Sequence, residues 1–225
     1  MKKYEFELEP YTRDVLFPHH LIKSKKEILE LLMEATRYML IKAPMDAEQA
    51  KGRAEKIVLL IDKMSRLFIC SDNKAYSIVY PFTVINQENN ELRFEFQKDG
   101  VEISVDHQLI SHFISVLKSE SFYSNCSLDF ADPIDRMEDD FNKNFWVFTR
   151  YLLLMEDGYV RYDIDEKSYR NALAQGNPHT HPLHHIDIFY TSNVACKFGL
   201  ESPMDNECFI DCINVKTNCK YLKTR

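Results

Sequence analysis

Apolar residues recur with two different periods along this chain, and the switches between them divide it into elements. Tyr4, Phe6 and Leu8 alternate with charged residues, which predicts a short strand. A loop through Pro10 and Pro18 follows and carries His19 and His20. Ser24 and Glu27 form a capping box, and Ile28, Leu31, Leu32, Ala35 and Met39 continue it as one apolar stripe. This predicts a helix over 25–42, ended by Pro44. Asp46 is a second helix cap. Ile57, Leu60, Ile61, Met64, Leu67 and Phe68 follow at helical spacing. Residues 20–70 are therefore expected to form a helical hairpin packed on a sheet.

The period then falls to two. Tyr76, Ile78, Tyr80, Phe82 and Val84 alternate, as do Leu92, Phe94 and Phe96, and Val101, Ile103 and Val105 return after Asp99-Gly100. A three-stranded antiparallel meander over 75–105 is expected. Pro81 inside its first strand removes a ladder donor and marks an edge or a bulge. The aromatic stripes read as core rather than as a platform for nucleic-acid bases. Asp106 caps a helix bearing Leu109, Ile110, Phe113 and Leu117, and a polar loop holding Cys126 comes next. Asp132 as cap and Pro133 as first helical residue then begin a long helix over 132–157, with Gly158 to stop it. Its early acidic residues, Asp135 to Asp140, suit the helix dipole better than a metal ion.

From 158 to 200 three strands are expected around a His-rich loop, with Thr191-Ser192-Asn193 as the second turn. Val160, Tyr162 and Ile164 share one strand face; Tyr159, Arg161 and Asp163 share the other. On the neighbouring strand His184, Ile186 and Ile188 oppose His185, Asp187 and Phe189. A helix over 203–222, buried through Phe209, Cys212 and Ile213, closes the chain. Its basic tail, Lys216, Lys220, Lys223 and Arg225, suits a helix C-terminus or a phosphate. Together these elements predict one α+β domain over 1–225: an antiparallel sheet, an N-terminal helical hairpin, and further helices packed on the sheet.

Composition narrows the function classes. A net charge of -7 argues against a general polyanion binder. No apolar run reaches membrane-spanning length, the first ten residues lack a signal-peptide core, and the six cysteines include no Cys-x-x-Cys pair. A protein with reduced thiols, no membrane partner and a cytoplasmic location is expected.

The chemistry concentrates in the last third. A carboxylate two residues from an imidazole on one strand face orients it and raises its basicity. His185 and Asp187 have that spacing, and Arg161 reaches a developing anion if the strands pair in register. Arg161, Asp163, His181, His185 and Asp187 are the candidate catalytic residues, in a set suited to metal-independent cleavage of RNA through its 2′-hydroxyl. The structural alternative is a half-buried His185 bonded to Asp187. Zn²⁺ is a disfavoured cofactor: His179, His181, His184, His185 and Asp187 are sufficient donors, but His184 and His185 face opposite ways and regular ligand spacings are absent. Asp163-x-Asp165-x-Lys167 is a weak match to metal-dependent nucleases. No other cofactor is indicated.

His181-Pro182-Leu183-His184-His185, then Cys196-Lys197-Phe198 and a helix led by Pro203, resembles the bacterial domain-of-unknown-function family numbered twenty-two ninety, whose members lie near mobile or defence genes. Lys197 stands where that pattern has arginine. Arg161-Tyr162-Asp163 with the His-Pro and His-His run also resembles small RNA-damaging toxins of toxin–antitoxin pairs, at longer spacing. The resemblances imply an antiviral-defence or toxin-associated protein. Candidate partners are RNA, a cognate antitoxin or a larger defence effector. The rival expectation is a non-catalytic subunit that docks on such an effector.

Overall fold

The computed structural model describes residues 1–87, 91–123, 129, 131–191 and 194–221. A seven-stranded antiparallel sheet runs in the order β1 (Lys2–Glu7), β2 (Lys56–Ile61), β3 (Arg66–Cys70), β4 (Lys74–Val79), β8 (Val160–Ile164), β9 (His184–Thr191), β10 (Val194–Leu200). A second sheet of three strands joins β5 (Thr83–Asn86), β6 (Leu92–Lys98) and β7 (Val101–Ser104). The helices are α1 (Pro10–Leu16), α2 (Lys25–Ile41), the single turn α3 (Ala47–Ala50), α4 (His107–Lys118), α5 (Ala131–Asp140), α6 (Phe145–Leu154), α7 (Glu166–Ala174) and α8 (Asn206–Ile213). The mixed fold with a large antiparallel sheet is as the sequence predicts.

The helical hairpin is not. Its first arm is α2, with the Ser24–Glu27 capping box in place. Its second arm is two strands. Every residue from Ile57 to Ile61 is apolar, so a helical stripe can be picked out of a run that has no polar face at all. Such a run fits a strand covered on both sides. Ile57 and Leu59 pack toward α2, whereas Val58 and Leu60 pack toward α8. Asp62 and Ser65 fold the turn between β2 and β3: Lys63 N–H donates to Asp62 Oδ1 at 2.8 Å and Ser65 Oγ donates to Asp62 O at 3.3 Å.

Other boundaries move. The Tyr76–Val84 run spans two sheets, because β4 ends at Val79 and the chain crosses over Pro81 to β5. The long helix breaks at 141–144. Asn142 takes Asn144 N–H on its side chain at 2.9 Å and Phe145 N–H on its backbone at 2.8 Å, a local turn that competes with helix. Gly158 does adopt a positive φ of 54°, but at the entry to β8, after α6 has ended at Leu154. The C-terminal helix spans only Asn206–Ile213, capped by Asp205. Lys216 pairs with Asp62 and Lys220 with Asp211. Cys126, Ser192, Asn193, Lys223 and Arg225 lie outside the described residues.

Two apolar layers enclose the large sheet. On one side α2, α4, α6 and the small sheet share a core rich in phenylalanine, including Phe82, Phe94, Phe96, Phe113 and Phe148. On the other side Phe209 of α8 meets Phe68 edge-on at 6.1 Å between ring centroids. Among the described residues no helix is long and apolar enough to cross a membrane.

Two positions of the expected helical stripe separate the strand from the helix experimentally. Phe68 is fully buried whereas Met64, in the turn, is 37% exposed. Urea unfolding of Phe68→Ala should show a loss of roughly 3–5 kcal/mol, and Met64→Ala a change within about 0.5 kcal/mol.

Candidate functional site

Antiparallel pairing of β8 with β9 sets Arg161 opposite Asp187 and Asp163 opposite His185. All four side chains emerge on the face that α2 covers elsewhere, beyond Tyr76, Tyr159 and Phe189. The structure brings them together and buries them: Arg161 and Asp163 are 5% exposed, Asp187 is 4% exposed and His185 1%.

Arg161 holds the centre. Its Nε donates to Asp163 Oδ2 and its Nη2 donates to Asp187 Oδ2 at 2.7 Å. The guanidinium carbon lies 5.2 Å from the Phe189 ring centroid, a cation–π contact. Burial opposes its charge, but Asp163 and Asp187 outweigh burial and hold its pKa above the ordinary arginine value. The outer oxygens have cations of their own: Lys74 Nζ is 3.6 Å from Asp163 Oδ1 and Lys197 Nζ is 3.2 Å from Asp187 Oδ1.

His185 Nδ1 lies 2.9 Å from Pro182 O, so in the neutral ring Nδ1–H donates to that carbonyl. Nε2 then faces Asp163 Oδ2 and Asp187 Oδ2, each at 3.8 Å. Burial, then Lys197, depresses the His185 pKa below the ordinary value of 6.5, against the pull of Pro182 O and the two carboxylates.

His181 sits at the rim, half-buried. Its ring meets that of His185 edge-on, with centroids 4.9 Å apart, and its Nε2 is 3.1 Å from Asp165 Oδ2. Asp165 also caps α7 through Ser168 N–H at 2.9 Å. Pro182 lies against Gly199 of β10, where a Cβ would stand 2.8 Å from the proline ring. Gly199 pairs with His185 across the β9–β10 ladder, so this glycine lets the loop settle over the histidine.

The remaining candidates do not converge. His184 is on the opposite sheet face and His179 is exposed at the loop surface. Asp165 is engaged as a helix cap, and Lys167 is exposed on α7, so the Asp163-x-Asp165-x-Lys167 pattern assembles no site. Asp163, His185 and Asp187 do bring three donor atoms within 4.8 Å of one another. Their charge does not suit a cation, because Arg161, Lys74 and Lys197 already face the two carboxylates.

Comparison with protein-family models, with curated proteins and with solved structures finds no match. No family is therefore assigned, and the site is read from its own chemistry. Sequence reasoning missed Lys74, Pro182 and Gly199. Lys74 comes opposite Asp163 only through the β4–β8 register. Gly199 had a readable signal, a glycine inside a strand, which marks close approach of another segment.

Two outcomes follow from this geometry. Gly199→Ala should force Pro182 off its seat and lower stability by about 1–3 kcal/mol in urea unfolding. His185 also makes stability depend on pH. Because its folded pKa is depressed, the unfolded chain binds a proton below about pH 6.5 that the folded chain refuses, so this contribution is lost as pH falls. His185→Asn, which retains a donor near the Nδ1 position, should flatten the fall in stability between about pH 7 and 5.5. An unchanged slope would remove His185 as its source.

Proposed function

We propose that this protein is a non-catalytic interaction subunit, and that its Arg/Asp/His cluster is an internal brace. The observation that carries this reading is the burial of His185 at 1% exposure. A general base must come within hydrogen-bond reach of the proton it abstracts. Here Nδ1 is engaged with Pro182 O, Nε2 points at two carboxylates, and the guanidinium needed for an anion is already neutralised by the same carboxylates. The surface supports docking: Leu154 is 76% exposed, Tyr190 is 72% exposed, and β10 is an edge strand of the large sheet. The resemblance to defence-associated proteins supplies the setting, a larger antiviral effector as partner.

A second reading is a metal-independent ribonuclease, with His185 as base, Asp187 orienting it, His181 as acid and Arg161 stabilising the anion. It is favoured by one observation: all five candidate residues gather at one corner of the sheet, with the two imidazoles in ring contact. Purified protein incubated with RNA beside His185→Asn separates the readings. The subunit reading predicts no cleavage by either, no growth arrest on expression, and co-purification of the product of a neighbouring gene. Cleavage by the native chain that is lost in the variant would install the ribonuclease instead.

A further inference from the structure

Among the described residues Arg66 is the other deeply buried arginine, and it lacks what Arg161 has. It is 6% exposed, at the start of β3. Its Nε donates to Ser77 Oγ at 2.8 Å and its Nη2 donates to Gly158 O at 2.5 Å, both neutral acceptors. Among the described residues it forms no ion pair. Asp157, whose charge acts on Arg66, is engaged elsewhere: Oδ1 takes Tyr159 N–H at 3.0 Å and Oδ2 faces Lys25 Nζ at 3.2 Å. Burial pulls the Arg66 pKa down to about 10, with Asp157 opposing the fall. A desolvated guanidinium with no carboxylate in contact is costly, and a carboxylate in two-point contact is its natural complement.

Arg66 lines a groove of about 730 Å³ at the far end of the β8–β9 pair. Lys23 and Lys25 stand beside it, and Ile28, Leu153, Phe189 and Tyr190 supply apolar wall. None of the five candidate catalytic residues lines this groove. Gly158 makes the approach to Arg66 possible: it has a positive φ, and a Cβ there would stand 3.2 Å from Nη1.

We propose that this groove is a recognition cleft for a partner peptide that inserts one carboxylate at Arg66 and lays an adjacent apolar side chain along the wall. The groove is partly open to solvent, so it admits a segment of a longer chain. Glu156 and Asp157 on its lining, with the net charge of -7, select a single carboxylate over a polyanion. The proposal rests on the interaction-subunit reading and names the chemistry of the partner.

The test uses two fluorescein-labelled peptides, Leu-Phe-Asp-amide and Leu-Phe-Asn-amide, titrated with the full chain by fluorescence anisotropy. The acidic peptide should bind about tenfold or more tightly than its amide twin. Arg66→Gln should erase that preference. Lys23→Ala, on an exposed side chain, should reduce it without touching the core, so the test survives if the Arg66 variant fails to fold. Equal binding of the two peptides, or binding of neither, overturns the cleft. A natural partner that co-purifies equally with native and Lys23→Ala or Arg66→Gln chains also overturns it, while leaving the interaction-subunit reading intact.

Discussion

The one-residue register between β8 and β9 is the constraint on which the distal half of the sheet depends. It places two carboxylates on either side of one guanidinium, with every charge nearly removed from water. A slip of one residue would turn Arg161 and Asp163 to the α8 face, beside Phe68 and Phe209, and set Val160, Tyr162 and Ile164 against His185 and Asp187 in their place. Buried charges stabilise little by themselves, but breaking such a pair costs roughly 3–5 kcal/mol because the survivor is left unmatched. The cluster thus specifies pairing more than it adds cohesion.

The rest of the molecule explains why such a device is needed there. Toward β1 the large sheet is gripped by two apolar layers, through α2 on one side and α8 on the other. Toward β10 the α2 layer has ended, and the chain covers the sheet with the 175–183 loop instead. That loop has little apolar content, so it is tied by polar contacts: Asp165 N–H to Leu183 O at 2.9 Å, His181 to Asp165, and His185 to Pro182 O. Apolar packing and a polar brace divide one sheet between them. The two buried arginines express this division. Arg161 closes its own charge within the brace, and Arg66 lines a groove at the boundary with its hydrogen bonds to Ser77 Oγ and Gly158 O, both neutral.

Local signals in the sequence are legible where one face of an element is polar. The capping box at Ser24, the stripe of α2, the Asp106 cap and the alternation in β8 and β9 all have a polar side that fixes the period. The face-sharing of Arg161 with Asp163, and of His185 with Asp187, was legible for that reason. Residues 56–70 were not, because the interiors of these two strands, 57–61 and 67–70, are apolar on both faces and hide their period, and chance spacing from Ile57 to Phe68 imitates a helix. The break at Asn142 and the crossing at Pro81 were visible as residues but not as consequences. Burial of the cluster was not legible either, since it depends on which loop covers the face and on Gly199 admitting Pro182.

The central claim, that His185 is a sealed structural member, is tested most directly by nitrogen NMR of its imidazole across a pH titration. The account predicts a neutral ring protonated on Nδ1, a midpoint below the ordinary 6.5, and an N–H that exchanges slowly with solvent. A ring that titrates at the ordinary midpoint with rapid N–H exchange would contradict it and return His185 to the list of groups that a substrate can reach.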